Sequence, residues 1–253
     1  YNFGIVSTLG NPQKLGTGAY SFDGSNDYVQ TSTKFNYLHD NTGGSIAFWI
    51  KPRNMSSIHG NGDYIFDSMA TSAANGTGIS ILLKDTDLLR VNFTTSSNQW
   101  FADTNSTTEF ADDTWYHVAM TFGSNTVKLY VNGTLEDTET FSNPNTNASN
   151  GNFTIGRHAT DPSSYGYYDG VLDDIGIYNR VLSSTEINKL VNNNSPSPNI
   201  TDSPAYTKVG TTVSASGTTI EATNAQSNQN PVHRVYKDVG SVSDSTFYFE
   251  FDY

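Results

Sequence analysis

Between Trp115 and Gly133, in WYHVAMTFGSNTVKLYVNG, apolar and polar positions alternate. Val118, Met120 and Phe122 share one parity, and Val127, Leu129 and Val131 share another beyond the Gly123-Ser124-Asn125 turn. Period two marks half-buried antiparallel strands. Asn132-Gly133 favours positive φ and so a tight reversal into a further strand at 134–140. The turns set the register, because a one-residue slip would expose every apolar side chain.

The same reading extends along the chain. SIAFWIKP at 45–52 is largely apolar at both parities, which predicts a central strand covered on both faces. Strands are also predicted at 64–68, 78–84, 88–94, 99–102, 152–156 and 167–178. GAYSFDGSNDYVQT at 18–31 predicts two short strands or one broken at Asp23-Gly24-Ser25. That number of strands fills two packed sheets. One helix is predicted, at 182–191. Ser183 or Ser184 can cap it, Glu186 stands three residues after Ser183 as in a capping box, and Leu182, Ile187, Leu190 and Val191 form an apolar stripe.

After the helix, NNNSPSPNITDSP at 192–204 has no apolar period and the Asn, Ser and Pro content of a linker. The predicted organisation is a domain at 1–195, a linker at 196–204 and the start of a second β region at 205–253. Some 50 residues of short strands cannot close a sandwich of their own. The tail is therefore incomplete as a domain, or it adds strands to the first domain or to a neighbouring copy.

Composition narrows the chemistry. Asp and Glu outnumber Lys and Arg 25 to 13, a formal charge of −12, which excludes the basic groove that nucleic acid requires. Without cysteine there are no disulfides, thiolate metal sites or cysteine nucleophile. No apolar run approaches the roughly 18 residues needed to span a membrane. Nine Asn-x-Ser/Thr sequons, at Asn54, Asn75, Asn92, Asn105, Asn132, Asn147, Asn152, Asn193 and Asn199, point to an extracellular or cell-surface glycoprotein. His39, His59, His117, His158 and His233 show no metal spacing, and no nucleophile-elbow motif occurs, so the chain is read as no enzyme.

FDGSNDYV at 22–29, SIAFWIKP at 45–52, the 115–133 hairpin, FTIGR at 153–157 and GVLDDIGIYNRVLSSTEINKL at 170–190 occur together in this order. In these segments the chain resembles the laminin G-like, concanavalin A-like domains. The resemblance implies an all-β fold: a two-sheet antiparallel jelly-roll sandwich with one short helix. It also implies a non-catalytic task, adhesion or carbohydrate binding, with glycans or cell-surface proteins as partners. Two alternatives stay open. One is a structural subunit of an appendage, filament or surface layer assembled through its C-terminal strands; the other is an accessory domain of a polysaccharide-degrading enzyme.

Calcium is commonly bound in that family, and the FDG and LDD segments resemble its ligands. The expected Ca²⁺ ligands are Asp23, Asn26, Asp27, Asp173 and Asp174, oxygen donors from two acidic turns that a jelly roll can bring side by side. The alternative is that Asp23 and Asn26 only shape their turn while Asp173 and Asp174 pair with Arg180 or Arg157. For a sugar, aromatic faces beside polar loop groups are needed, and Trp100, Tyr165, Tyr167 and Tyr168 are the expected ligand-binding residues.

Overall fold

In the computed structural model of the chain, β3 (Gly44–Pro52) is buried along its whole length and its two parities serve different layers. Ile46, Phe48 and Ile50 enter the main core, while Ala47 enters a smaller one behind the sheet. The residues described are 14, 19–31, 43–68, 78–95, 99–140, 152–161 and 163–192, with four strands between 215 and 252. For those four strands, and for 94–95 and 99–103, the description is of backbone alone.

β3 runs antiparallel between β8 (Tyr116–Gly123) and β13 (Asp169–Tyr178). Beyond β8 the sheet continues through β9 (Thr126–Val131) to β10 (Thr134–Thr140). Two strands share the other edge of β13. β1 (Tyr20–Asp23) pairs with Asp169–Leu172, and β17 (Phe247–Asp252) pairs with Ile175–Ile177, with β16 (Val232–Lys237) outside it. Between these two pairings, at Asp173 and Asp174, the register with β3 shifts, and Asp174 has φ 47°. A two-stranded pair of β14 (Ala215–Ser216) and β15 (Thr219–Ile220) stands apart from both sheets in hydrogen bonding. The linker expected at 196–204 lies outside the described residues.

The second sheet has the order β2 (Val29–Gln30), β11 (Thr154–Ile155), β4 (Asp63–Asp67), β5 (Gly78–Leu83), β6 (Leu88–Thr95), β7 (Gln99–Glu109), with β12 (Gly166–Tyr167) parallel to β4. Alternation aims Ile79, Ile81, Leu83, Leu89, Val91 and Phe93 at the first sheet, where they meet Phe48, Phe122, Val118 and Leu129. Phe48 and Phe66 cross the interface edge to face, with centroids 4.7 Å apart. Burying each such side chain contributes about 1.5–3 kcal/mol, and together they hold the two sheets as a sandwich.

The predicted turns form as their residues require. Ser124 and Asn125 have φ 53° and 61°, and Asn132 and Gly133 have φ 49° and 82°. Positive φ at both central residues matches the twist of the flanking strands. β7 is longer than its predicted span because Thr104, not an apolar residue, is fully buried within it. β7 is also bound along its edge by carboxylates of β10. Asp137 Oδ2 accepts from Asn105 N at 3.0 Å, and Glu136 Oε2 accepts from Thr107 N and Thr108 N at 2.8 and 3.1 Å.

The helix α1 (Ser184–Asn192) lies on the outer side of the first sheet. The capping box is present: Glu186 N donates to Ser183 Oγ at 3.3 Å, and Ser183 N donates to Glu186 Oε2 at 2.8 Å. Leu182, Ile187 and Leu190 pack on Ala47, Ala119, Tyr130 and Tyr178. Ser45 Oγ donates to Arg180 O and accepts from Leu182 N, each at 2.9 Å, which fixes the approach to the helix.

Candidate functional site

Strand register sets a row of polar residues across the face of the second sheet turned away from the core. Gln30 pairs with Thr154, Thr154 with Asp67, Asp67 with Ser80, Ser80 with Asn92 and Asn92 with Asp103. The row is linked by hydrogen bonds: Gln30 Nε2 donates to Thr154 Oγ1 at 3.3 Å, and Ser80 Oγ donates to Asp67 Oδ1 at 2.7 Å. A parallel row holds Tyr64, Leu82, Arg90 and Asn105.

The segment following β11 folds over this face. Ala159 N donates to Asp67 Oδ2 at 2.6 Å, which with Ser80 satisfies both oxygens of a fully buried carboxylate. His158, also buried, turns Nδ1 toward Asp67 Oδ2 at 3.6 Å. That nitrogen accepts from Thr160 N at 3.2 Å and Asp161 N at 2.9 Å, so the ring is neutral and carries its proton on Nε2. Burial, with a smaller opposing pull from Asp161, lowers the His158 pKa to about 4.

Tyr165, half-buried, stacks on His158 at 4.4 Å and 9°, and Tyr64 meets both rings edge-on. Burial first, and the Asp67 carboxylate second, raise the Tyr64 pKa. Tyr64 and His158 are buried, so Tyr165 is the ring of this group that reaches the surface, on the same side of the sheet as the half-buried Arg90. An aromatic face on the same surface as a guanidinium can stack a sugar ring and bond its hydroxyls.

The acidic turns meet differently from the expectation. Asp23 stands opposite Asp169, and Asp169 accepts from Arg53 Nε at 3.0 Å and from Asn54 Nδ2. Asp23 Oδ1 accepts from Ser25 N and Asn26 N at 2.9 and 3.3 Å, a side-chain turn. Asp27 Oδ2 accepts from Asp23 N at 3.1 Å, while its buried Oδ1 has no partner among the described residues. Burial first, and Asp23 second, raise the Asp27 pKa. Asp173 and Asp174 lie at the opposite end of β1, four residues beyond Asp169 or about 13 Å at strand rise. There Asp173 accepts from Lys14 N at 2.8 Å. The antiparallel pairing of β1 with β13 thus separates the five expected ligands into two groups. Among the described residues no three His, Asp or Glu side chains gather as a metal site.

The sequence profile described as the concanavalin A-like lectin/glucanases superfamily matches residues 23–188. The chain belongs to that superfamily. Among curated proteins nothing matches it. Domain 4 of an extracellular arabinanase from Geobacillus stearothermophilus, solved with arabinotriose, superposes with a TM-score of 0.56 at 19% identity, over 74% of this chain and 82% of that one. The carbohydrate-binding module of a Ruminococcus gnavus sialidase, bound to α2,3-sialyllactose, superposes at 0.53 and 12% identity, over 68% and 96%. The binding domain of botulinum neurotoxin serotype G does so at 0.53 and 14%, over 75% and 45%. At these identities the likeness is one of fold, a jelly-roll sandwich.

Within this lectin-like domain the expected sugar contacts separate. Tyr165 is the ring that reaches the surface, and Tyr167 is half-buried in β12 beside Tyr64 of β4. Tyr168 is fully buried against Phe22, its hydroxyl between Lys51 O and Val171 O at 3.2 Å each, so it is a core residue and offers a ligand no surface. Trp100 pairs in backbone with Thr94 at the outer edge of the same sheet; its side chain lies outside the described residues. Of the sequons, Asn54, Asn132 and Asn152 are exposed and Asn105 is half-buried. Asn92 is 7% exposed within the polar row and cannot carry a glycan without displacing its neighbours. Asn75, Asn147, Asn193 and Asn199 lie outside the described residues. Sequence reasoning missed Arg90 and Asp67, polar residues on strands whose register only the fold reveals, and His158, which lies in the segment after β11 and carries no periodic signal.

Proposed function

We propose that the domain is a non-catalytic carbohydrate-binding module that holds a glycan against the Tyr165 and Arg90 face of the second sheet. The observation that carries this reading is the half-buried Tyr165 ring, held in place by stacking on His158 and by Tyr64, on the sheet face that also carries the half-buried Arg90. The arabinotriose and sialyllactose complexes of its structural neighbours support the ligand class. The module works outside the cell or at its surface, as a separate adhesin or as an accessory to a polysaccharide-degrading enzyme. No helix among the described residues is long and apolar enough to cross a membrane. Glycan-array binding by the purified protein, lost on Arg90→Ala or Tyr165→Ala with the fold intact, supports the reading; arrays without a hit overturn it.

Calcium belongs to this proposal as a structural ion at the turn between Asp23 and Asp27, supported by the unpartnered buried oxygen of Asp27, with the other donors coming from outside any carboxylate cluster. It would take up the charge of the Asp27 carboxylate, which burial first and Asp23 second disfavour. A thermal melt with and without chelator tests it: an unchanged melting temperature removes the ion.

A further inference from the structure

The outer side of the first sheet carries a second recess, remote from the polar row. A cleft of about 510 Å³ opens where β8 and β9 meet the start of α1. Thr121, Thr126, Lys128, Tyr130, Ser183 and Ser184 line it. The register explains the convergence, since Thr121 pairs with Lys128 and Ala119 with Tyr130, so alternate residues of both strands face the helix side.

Three features of this cleft point to a ligand. Tyr130 is only 6% exposed and lines the cleft, and its hydroxyl, bonded to no described residue and not itself buried, is left to solvent. A phenol held this way by its sheet and by Leu182 and Ile187 retains an unused donor and acceptor. Lys128 has no acidic partner among the described residues and faces the same space. In a chain with 25 acids and 13 bases, a recess whose lining among the described residues holds an ammonium and no carboxylate is a departure from the general charge. Finally, Ser183 and Ser184 present the positive end of α1. The nearby carboxylate of Glu186 is already neutralised, 2.7 Å from Arg180 Nη2 and bonded to Ser183. Serine, threonine and tyrosine hydroxyls around a single cation match a ligand that is itself hydroxylated and carries one oxyanion.

We propose that this cleft is a second site, binding a saccharide that bears a carboxylate or sulfate, with the oxyanion on Lys128 Nζ and the Tyr130 hydroxyl and the ring hydroxyls on Thr121, Thr126 and Ser184. It shares only the ligand class with the site on the second sheet. Together the two sites would let one module engage two strands of a polysaccharide, or two residues of one strand bent around it.

Backbone-amide NMR titration of the whole chain with digalacturonate, galactose 6-sulfate and neutral galactobiose tests the proposal. With at least one anionic sugar, the amides of Thr121, Thr126, Lys128 and Ser184 shift, and galactobiose leaves them unmoved. Lys128→Met then weakens that binding about tenfold, as expected for a hydrogen bond to a charged group. Tyr130→Phe, which keeps the ring in place, weakens it severalfold, and added salt weakens it further. Arg90→Ala leaves it unchanged, so failure here and failure of the other site are read separately. The proposal is overturned if these amides stay unmoved up to about 20 mM of both anions, a concentration that covers millimolar affinity. It is equally overturned if galactobiose shifts them as strongly, or if Lys128→Met binds as the parent does while melting at the same temperature.

Discussion

His158 turns its unprotonated Nδ1 toward Asp67 Oδ2 at 3.6 Å, yet the two are not an ion pair, because backbone amides already occupy both. The imidazole and the carboxylate are each end-caps for the loop that covers the polar face. Removing the carboxylate frees the Ala159 amide and the buried Ser80 hydroxyl, and removing the imidazole frees the Thr160 and Asp161 amides.

Asp67→Ala is therefore expected to cost about 2–4 kcal/mol of stability, from the orphaned Ser80 hydroxyl and Ala159 amide together. Urea denaturation measures it. A loss below about 0.5 kcal/mol contradicts the role given to this carboxylate.

Acid should weaken the domain through two histidines. Burial lowers the pKa of both His117 and His158 to about 4, from 6.5. The folded state then binds fewer protons than the unfolded chain, so their contribution is fully present above pH 6.5 and is lost as pH falls toward 4. Each histidine contributes a few kcal/mol over that window. Denaturant midpoints between pH 7 and 4 should fall, and His117→Phe should flatten the slope by about half. An unchanged slope in that variant would assign the acid sensitivity elsewhere.

Gly156 opens the covering segment at φ 91°, where a Cβ would stand 2.6 Å from the Phe22 ring. Gly156→Ala combines an unfavourable backbone conformation with a clash against the core, and should destabilise by about 2–4 kcal/mol. Calorimetry checks this, and the variant should also lose loop order around His158, visible as faster amide exchange at Thr160 and Asp161.

Truncating the exposed part of the proposed glycan face should separate affinity from stability. Arg90→Ala and Tyr165→Ala are each expected to reduce glycan binding about tenfold or more while moving the melting temperature by only a few degrees. Isothermal titration with the array-identified glycan provides the measurement. Retained affinity in both variants would sink the assignment of this face.

Much of the fold was legible in the sequence because alternation and turn chemistry act locally. The 115–133 hairpin, the doubly covered β3 and the capping box of Ser183 and Glu186 all follow from neighbouring residues. β7 was read short because Thr104 and Ser106 occupy buried positions without an apolar signal. The site was less legible because it depends on register between distant strands. Nothing local aligns Thr154 with Asp67, or sets Asp169 rather than Asp173 opposite Asp23. Tyr165 and Tyr168 look alike in the chain, yet one reaches the surface beside His158 and the other fills the core.

Glu136 and Asp137 have a consequence beyond the fold they help to close. β7 and β10 are the last strands of their respective sheets on one flank of the sandwich, where bare backbone amides would template a foreign strand. Here the amides of Asn105, Thr107 and Thr108 are already taken by carboxylates, and an approaching strand meets negative charge. That flank is protected against edge-to-edge aggregation, which helps to keep a strand-rich protein dispersed at high concentration.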